Sequence, residues 1–434
     1  MHPTRATALG AAADETRVRV ELHPGDQDRY VAVPFAVPGG VESVAAEIAV
    51  DGPDGTMIDL GLHDPDGTRG WSGGSHRTLR VALEQASPGY RPGPLPAGEW
   101  AVILGAYKVP APGCAVDVMI RRTRPATAWL RGDLHIHTTH SDGNEAPPHL
   151  AGELAALGLD FVGLTDHNTT STLASFPKDS PVLAMPGIEW TTPRGHVNLI
   201  GVERPLRDVR SAGRDDVVAR LAEARDNGAF ASVNHAFEDS CKGCPWDWGF
   251  EPDLAIDAIE IWNGIWRPNN RRTLAFWQAE LVRGRRLVAT GGTDFHAVEP
   301  LTLRAMPTTW ALAHGLSHVA VLEALRAGRV SISVGPGGPL VEVTCGAAMQ
   351  GDEVAGPSAP AVAIEATGLR PGDRLELWSD RGLEGERPAD GTDLAVTVEP
   401  GGRRFWRAEV WRACPILETV RPVAFTNPVF FAPT

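Results

Sequence analysis

The chain has 434 residues, more than one typical domain needs and enough for two or three. Its 43% hydrophobic and 22% charged residues are those of an ordinary globular protein, and no apolar run approaches the roughly 18 residues a membrane-spanning helix needs. Met1–Val20 lacks the pattern of a secretory leader, so a cytoplasmic protein is expected; the formal charge of −14 disfavours a broad basic surface for nucleic acid but leaves an anionic substrate open, because bound cations reverse the sign of a site locally.

Residues 1–126 alternate apolar and polar positions in short runs, as in Thr16–Leu22 and Ala115–Ile120, separated by Asp-Gly, Pro-Gly and Gly-Gly turns. This rhythm predicts an all-β, sandwich-like domain. From 127 to 335 strand-like runs alternate with helical stretches. Ala128-Trp129-Leu130 leads into His135, and Leu150–Leu157 reads as a helix closed by Gly158. Phe161–Leu164 is a strand running into Asp166-His167, and Val182–Met185 precedes Glu189. Asp216–Asn227 reads as a second helix, and Phe230–Val233 reaches His235. A strand at Ile256–Trp262, a helix at Thr273–Arg283 and a strand at Arg286–Thr290 carry the chain to Asp294 and His296. Such alternation predicts an α/β barrel. Residues 336–434 return to β character, with strands expected at Leu340–Thr344, Leu375–Trp378 and Phe405–Val410, and form a second β domain.

Six of the 14 histidines, His135, His137, His167, His196, His235 and His296, fall at the C-terminal ends of the barrel zone's predicted strands, together with Asp142, Glu189 and Asp294. Those ends converge on one face of a barrel. Residues i and i+2 of a strand point to the same side, so His135 and His137 can share an ion, as can Asp294 and His296 if each leans to a different one. Imidazole and carboxylate without thiolate suit Zn²⁺, Mn²⁺ or Fe²⁺. Nine such groups exceed one tetrahedral ion, which points to two or three divalent metals, with Glu189 able to bridge. Singly, His-x-His or Asp-Phe-His is a common turn or strand end; unmetallated and buried together, the groups would cost several kcal/mol each. Cys241 and Cys244 sit in a loop-like stretch without a second Cys or His pair, so a local feature, reduced or bridged, is expected there.

The segments Asp133–Thr138, Ser141-Asp142-Gly143, Thr165–Asn168, Gly187-Ile188-Glu189, Gly195-His196, Asn234-His235 and Gly292–His296 resemble, in order and spacing, the successive motifs of the polymerase-and-histidinol-phosphatase (PHP) family. Flanking segments, Pro88–Pro94 and Gly98–Trp100 in front and Arg407–Glu409 and Thr426–Pro428 behind, are similar to the carbaryl-hydrolase-like metallohydrolases of the CehA/McbA type. The resemblance implies a distorted (β/α)7 barrel flanked by N-terminal and C-terminal β-sandwich-like domains. It implies a first ion on His135, His137, Glu189 and Asp294, a second on Glu189, His196 and His235, and a third on Asp142, His167 and His296. Some members carry His where this chain has Asp142.

Such a centre implies a hydrolase whose nucleophile is a metal-bridged hydroxide, with Asp294 or His235 also able to move a proton. Arg194 or Arg271, or their neighbours Arg267 and Arg272, would neutralise charge in the transition state, unless they are ordinary surface residues. Asp133 and Glu260 are expected behind the ligands, and His140 at the substrate or in solvent. Phosphomonoester or phosphodiester cleavage is the first reading. Aryl carbamate or carboxyl ester hydrolysis is the second, with Trp246, Trp248, Trp262 and Trp266 lining an aromatic pocket or packing in the core. An inactive metal-binding scaffold is the third. The expected partner is a small molecule, anionic or an aryl ester, with neither membrane nor nucleic acid; an oligomer is left open.

Overall fold

The protein is described here from a computed structural model covering residues 12–74, 76–83, 85–124, 126–211, 213–297, 305–355, 359–414 and 419–432. The chain separates into two compact units, Met1–Thr127 and Ala128–Thr434.

The first unit consists of two four-stranded antiparallel sheets around one apolar core. Its period-two sequence works as expected: Val116, Val118 and Ile120 of strand Cys114–Arg124 are buried, while Asp117 between them faces solvent. No helix among the described residues of either unit is long and apolar enough to cross a membrane.

The second unit is mixed α/β and rich in strands. One sheet of five contains Gly187–Thr192, Gly195–Ile200, Phe230–Val233, Ala258–Asn263 and Val288–Gly292. A larger sheet begins with Leu183–Met185, Phe161–Gly163 and Thr127–Asp133, which run parallel. It continues through Thr308–His314 and Val330–Ser333. Helices Pro147–Leu157, Arg214–Asp226, Pro268–Val282 and His318–Arg326 accompany these strands. Pro147–Leu157 stops at Gly158, whose φ of 82° is the left-handed conformation that lets the chain turn away. Pro268–Val282 starts five residues before the expected Thr273, because Pro268 suits a first helical position. His318–Arg326 was not anticipated, although Ser317 caps it by accepting from the Ala320 N–H.

Three features go beyond simple alternation. The strands fall into two sheets that meet through isolated parallel bridges, Ile136 with Phe295 and His167 with Glu189. Strict strand–helix alternation also fails between 187 and 200, where two strands pair antiparallel across the turn Pro193-Arg194. The boundary placed at 335/336 falls inside the second unit. There Val330–Ser333 pairs with Thr419–Thr426, so one sheet spans both sides of it.

Candidate metal centre

Most of the ligand-type residues lie just beyond regular strands, while Glu189 and His196 sit within Gly187–Thr192 and Gly195–Ile200, and the backbone gathers them in pairs. The His137 N–H bonds the Phe295 carbonyl at 2.9 Å and the Asp294 N–H bonds that of His135 at 2.8 Å. The Asn168 N–H reaches the Glu189 carbonyl, and the Asn234 N–H that of His196. Three of the five described non-glycine residues with positive φ are here: Asn168 at 55°, His235 at 27° and Asp294 at 52°. Backbone held in sparsely populated regions is concentrated at functional sites in proteins generally.

Glu189 stands at the centre, fully buried. Its Oε1 is 3.2 Å from His135 Nε2, 3.1 Å from His196 Nδ1 and 3.3 Å from His235 Nε2. Its Oε2 is 3.5 Å from His137 Nε2 and 2.8 Å from His167 Nδ1. Asp294 Oδ1 lies 3.2 Å from His135 Nε2 and 3.1 Å from His137 Nε2. Asp142 closes the open side, 3.4 Å from both His167 and His296. Burial alone would raise the Glu189 carboxyl, but the imidazoles, His135 foremost, outweigh it and hold it well below the carboxylate range. Burial likewise opposes charge on His135, yet Asp294, Glu260 and Glu189 hold it well above the usual imidazole value.

Among the described residues four groups have ligand atoms within 4.8 Å of one another; apart from Glu145, His149 and Glu153, three of them lie here: His137 with Asp142, His167 and His296; His135 with His137 and Asp294; and His135 with Glu189 and His235. They cut across the sets implied by the resemblance, because His135 also joins Glu189 and His235, and His137 also joins the Asp142 group. His196 belongs to none of them but touches Glu189. The donor chemistry fits divalent ions. His135 Nε2, both ring nitrogens of His137, His235 Nδ1 and Glu189 Oε2 are buried and make no hydrogen bond among the described residues. Buried polar atoms are otherwise nearly always satisfied, so orphans converging in one place are the mark of a ligand site.

Behind the ligand-type residues is a polar layer. Glu260 Oε1 sits 3.0 Å from His135 Nδ1, which fixes the proton there and leaves Nε2 free; Glu260 Oε2 accepts the His235 N–H at 3.0 Å. Asp133 accepts from the N–H groups of His135 and Thr293 and from the Thr293 hydroxyl, and burial pushes it up to about 6. Asp166 gathers the Thr138 N–H and the hydroxyls of Thr138, Ser141 and Thr172. Asn234 donates to Glu189 Oε1 at 2.7 Å. Asp166, Asn234 and Thr293 are not expected from the motifs, although each adjoins a ligand-type residue in sequence, and that adjacency is the available signal. Gly292 is required by close approach: a Cβ there would lie 2.3 Å from that of His135 and 2.6 Å from Glu260 Oε1.

The arginines divide. Arg194 is exposed, pairs with Asp247 at 2.6 Å and stacks on Trp248. Arg272 pairs with Asp239 and stacks on Phe237. Both line a cleft of about 530 Å³ with Phe237, Trp246, Asp239 and Asp247, close in sequence to the candidate ligand His235. Arg271 lies over the Trp411 ring, and Arg267 occupies the position before helix Pro268–Val282 without a side-chain capping bond. Only Trp246 of the four tryptophans lines this cleft; Trp248 is buried and donates to Thr192, while Trp262 and Trp266 pack with Phe425. Cys241 and Cys244 are bridged. His140 hydrogen-bonds Ser171.

No family model and no curated protein matches the chain. Among solved structures it is similar to a two-domain protein from Bacteroides vulgatus described as containing a predicted PHP-like metal-dependent phosphoesterase, at 18% identity over 69% of this chain and 95% of that one, with a TM-score of 0.41. It is also similar to an amidohydrolase from Chromobacterium violaceum with bound sulfate and no metal, at 15% identity over 39% of this chain and 89% of that one, TM-score 0.27.

Proposed function

We propose that the protein is a metal-dependent hydrolase of the PHP type that cleaves a small phosphomonoester or phosphodiester. The observation that carries this is the ring of imidazoles around buried Glu189, with its unsatisfied nitrogen and oxygen atoms. The distorted (β/α)7 barrel and a three-ion centre belong to this reading, as does a C-terminal β domain from 336 that packs against the barrel and shares a sheet with it. Bound divalent ions supply Lewis acidity and an activated water near neutral pH.

The chain's own residues do the rest. His135, His137, Glu189, His235 and Asp294 hold the inner positions, with His196 against Glu189. Asp142, His167 and His296 hold the more open one, where substrate enters. Glu260 sets the His135 tautomer. Arg194 and Arg272 line the cleft, each beside an aspartate, Asp247 and Asp239, whereas Arg271 does not line it and lies over Trp411; the two cleft arginines are therefore the candidates to meet an anionic group. Asp294 and His235 are the candidate proton carriers.

The cleft supports one alternative. Its Phe237 and Trp246 walls suit the aryl group of a carbamate or carboxyl ester, the activity implied by the CehA/McbA-like flanks. The deciding experiment loads the protein with Mn²⁺ or Zn²⁺ and offers p-nitrophenyl phosphate, bis-p-nitrophenyl phosphate, p-nitrophenyl acetate and a naphthyl carbamate. Phosphoester turnover is expected, abolished by chelation and reduced on the order of 10³-fold by Glu189→Gln. Turnover of the acetate or carbamate alone would transfer the assignment to the second reading. Inactivity of metal-replete protein on all four would favour a binding scaffold.

A further inference from the structure

Beside the candidate metal centre stands a residue, Asn263, that is neither a ligand-type group nor a direct partner of an imidazole. Asn263 closes strand Ala258–Asn263. Its Nδ2 lies 3.0 Å from Glu260 Oε2 and 3.3 Å from Asp294 Oδ2. Both neighbours are carboxylate oxygens, which only accept, so the amide must turn its NH₂ to them; two N–H bonds meet two acceptors.

The two carboxylates do different work. Glu260 orients His135 through its other oxygen and accepts the backbone of His235. Asp294 turns Oδ1 toward His135 and His137. Asn263 therefore takes the Asp294 oxygen directed away from those two imidazoles, and it ties that carboxylate to the one that orients His135. It also separates two negative groups that would otherwise repel.

Asn263 is itself held. Asn270, buried in the first turn of helix Pro268–Val282, donates to the Asn263 and Ile265 carbonyls at 3.0 and 3.2 Å, and its Oδ1 accepts the Asn263 N–H at 3.3 Å. The next residue is fixed as well, because the Gly264 N–H bonds the Gly292 carbonyl at 2.9 Å.

We infer that Asn263 is the positioning residue of this centre: its amide bridges Glu260 and Asp294 and so sets the orientation of Asp294 and the affinity of the site for divalent metal. The inference rests on the metal-site reading above, but not on which bond is cleaved.

The test compares wild type with Asn263→Leu, nearly the same size without a donor, and Asn263→Ala, which leaves room for water. Zn²⁺ and Mn²⁺ affinities are measured by competition with a chromophoric chelator, and Co²⁺-loaded protein is read by its visible spectrum. Both variants should bind about 10–100-fold more weakly, the scale of losing an outer partner of a metal ligand, with a changed Co²⁺ band and a metal-free melting temperature close to wild type. Affinities within about twofold of wild type and an unchanged Co²⁺ spectrum would overturn the inference. Wild-type protein that binds none of the three metals would instead overturn the metal-site reading. Should both variants misfold, selective ¹⁵N-asparagine labelling of the wild type decides: the Asn263 side-chain amide must shift when Zn²⁺ is added, and an unmoved resonance in Zn²⁺-bound protein counts against the bridge.

Discussion

Within the ligand cluster each side chain is charged or neutral according to its neighbours, and the signs can be followed through folding. Glu189 is held below its ordinary value of 4.5, so the stability it contributes is fully present above that pH and is lost as pH falls through the lowered value. His135 is held above its ordinary 6.5, so its contribution is fully present below 6.5 and is lost as pH rises through the raised value. In metal-free protein the pair therefore supports the fold best between 4.5 and 6.5. Metal competes with the proton for the imidazoles and should reverse the trend. Thermal unfolding followed from about pH 6 to about pH 9 is expected to show falling stability in chelator and maintained stability with Zn²⁺. A metal-free melting temperature that rises over that range would contradict the ion-pair picture.

Helix Pro268–Val282 organises its neighbourhood from both ends. Its first turn restrains two loops, Asn270 through Asn263 and Asn269 through Glu238. Further along, Gln278 accepts from Arg407 of strand Phe405–Cys414, whose guanidinium lies against both Trp277 and Trp378. Arg407 and Glu409 form an ion pair at 2.6 Å, each side chain 1% exposed. Removing one member strands a buried charge, so Arg407→Met should cost about 3–5 kcal/mol in urea unfolding, and Glu409→Gln added to it should recover part of the loss. Equal stabilities of the single and double variants would remove the pairing argument. Much at this scale was legible in the sequence. The helix ending at Gly158, the helix near 216–227 and the strands leading to His167 and His235 carry local periodicity and capping signals. The Pro193-Arg194 hairpin was not legible, because two buried strands of six residues look like any apolar run and pairing direction is a tertiary property. The same limit applies to the site. The identities of the nine ligand-type groups could be read along the chain, but their grouping around Glu189 and the amide of Asn263 depend on strands far apart in sequence.

Hydrogen bonds cross the expected boundary at 335/336 within the second unit. Asn427 accepts the Ala289 N–H at 2.8 Å and donates to the carbonyls of Ala289 and Val330, tying the segment before Asp294 to residues near the C-terminus. Gln350 adds bonds to Val330 and Ser331. A chain ending at 335 would expose the edge of Val330–Ser333 and leave the Ala289 backbone unpaired. It is expected to be insoluble or to lack a cooperative melting transition; a soluble, cooperatively folding 1–335 fragment would argue for an independent domain. The sheet shared by Val330–Ser333 and Thr419–Thr426 also bears on synthesis. Residues emerge from the ribosome in order, and domains generally fold as units as they appear. The first unit has all its strands by residue 124, whereas the sheet beside the ligand cluster waits for partners almost 300 residues after His135. During that interval the edge of Val330–Ser333 has been made without its partner, so the nascent chain passes through a stage in which that unpaired edge is open to a chaperone or to another chain.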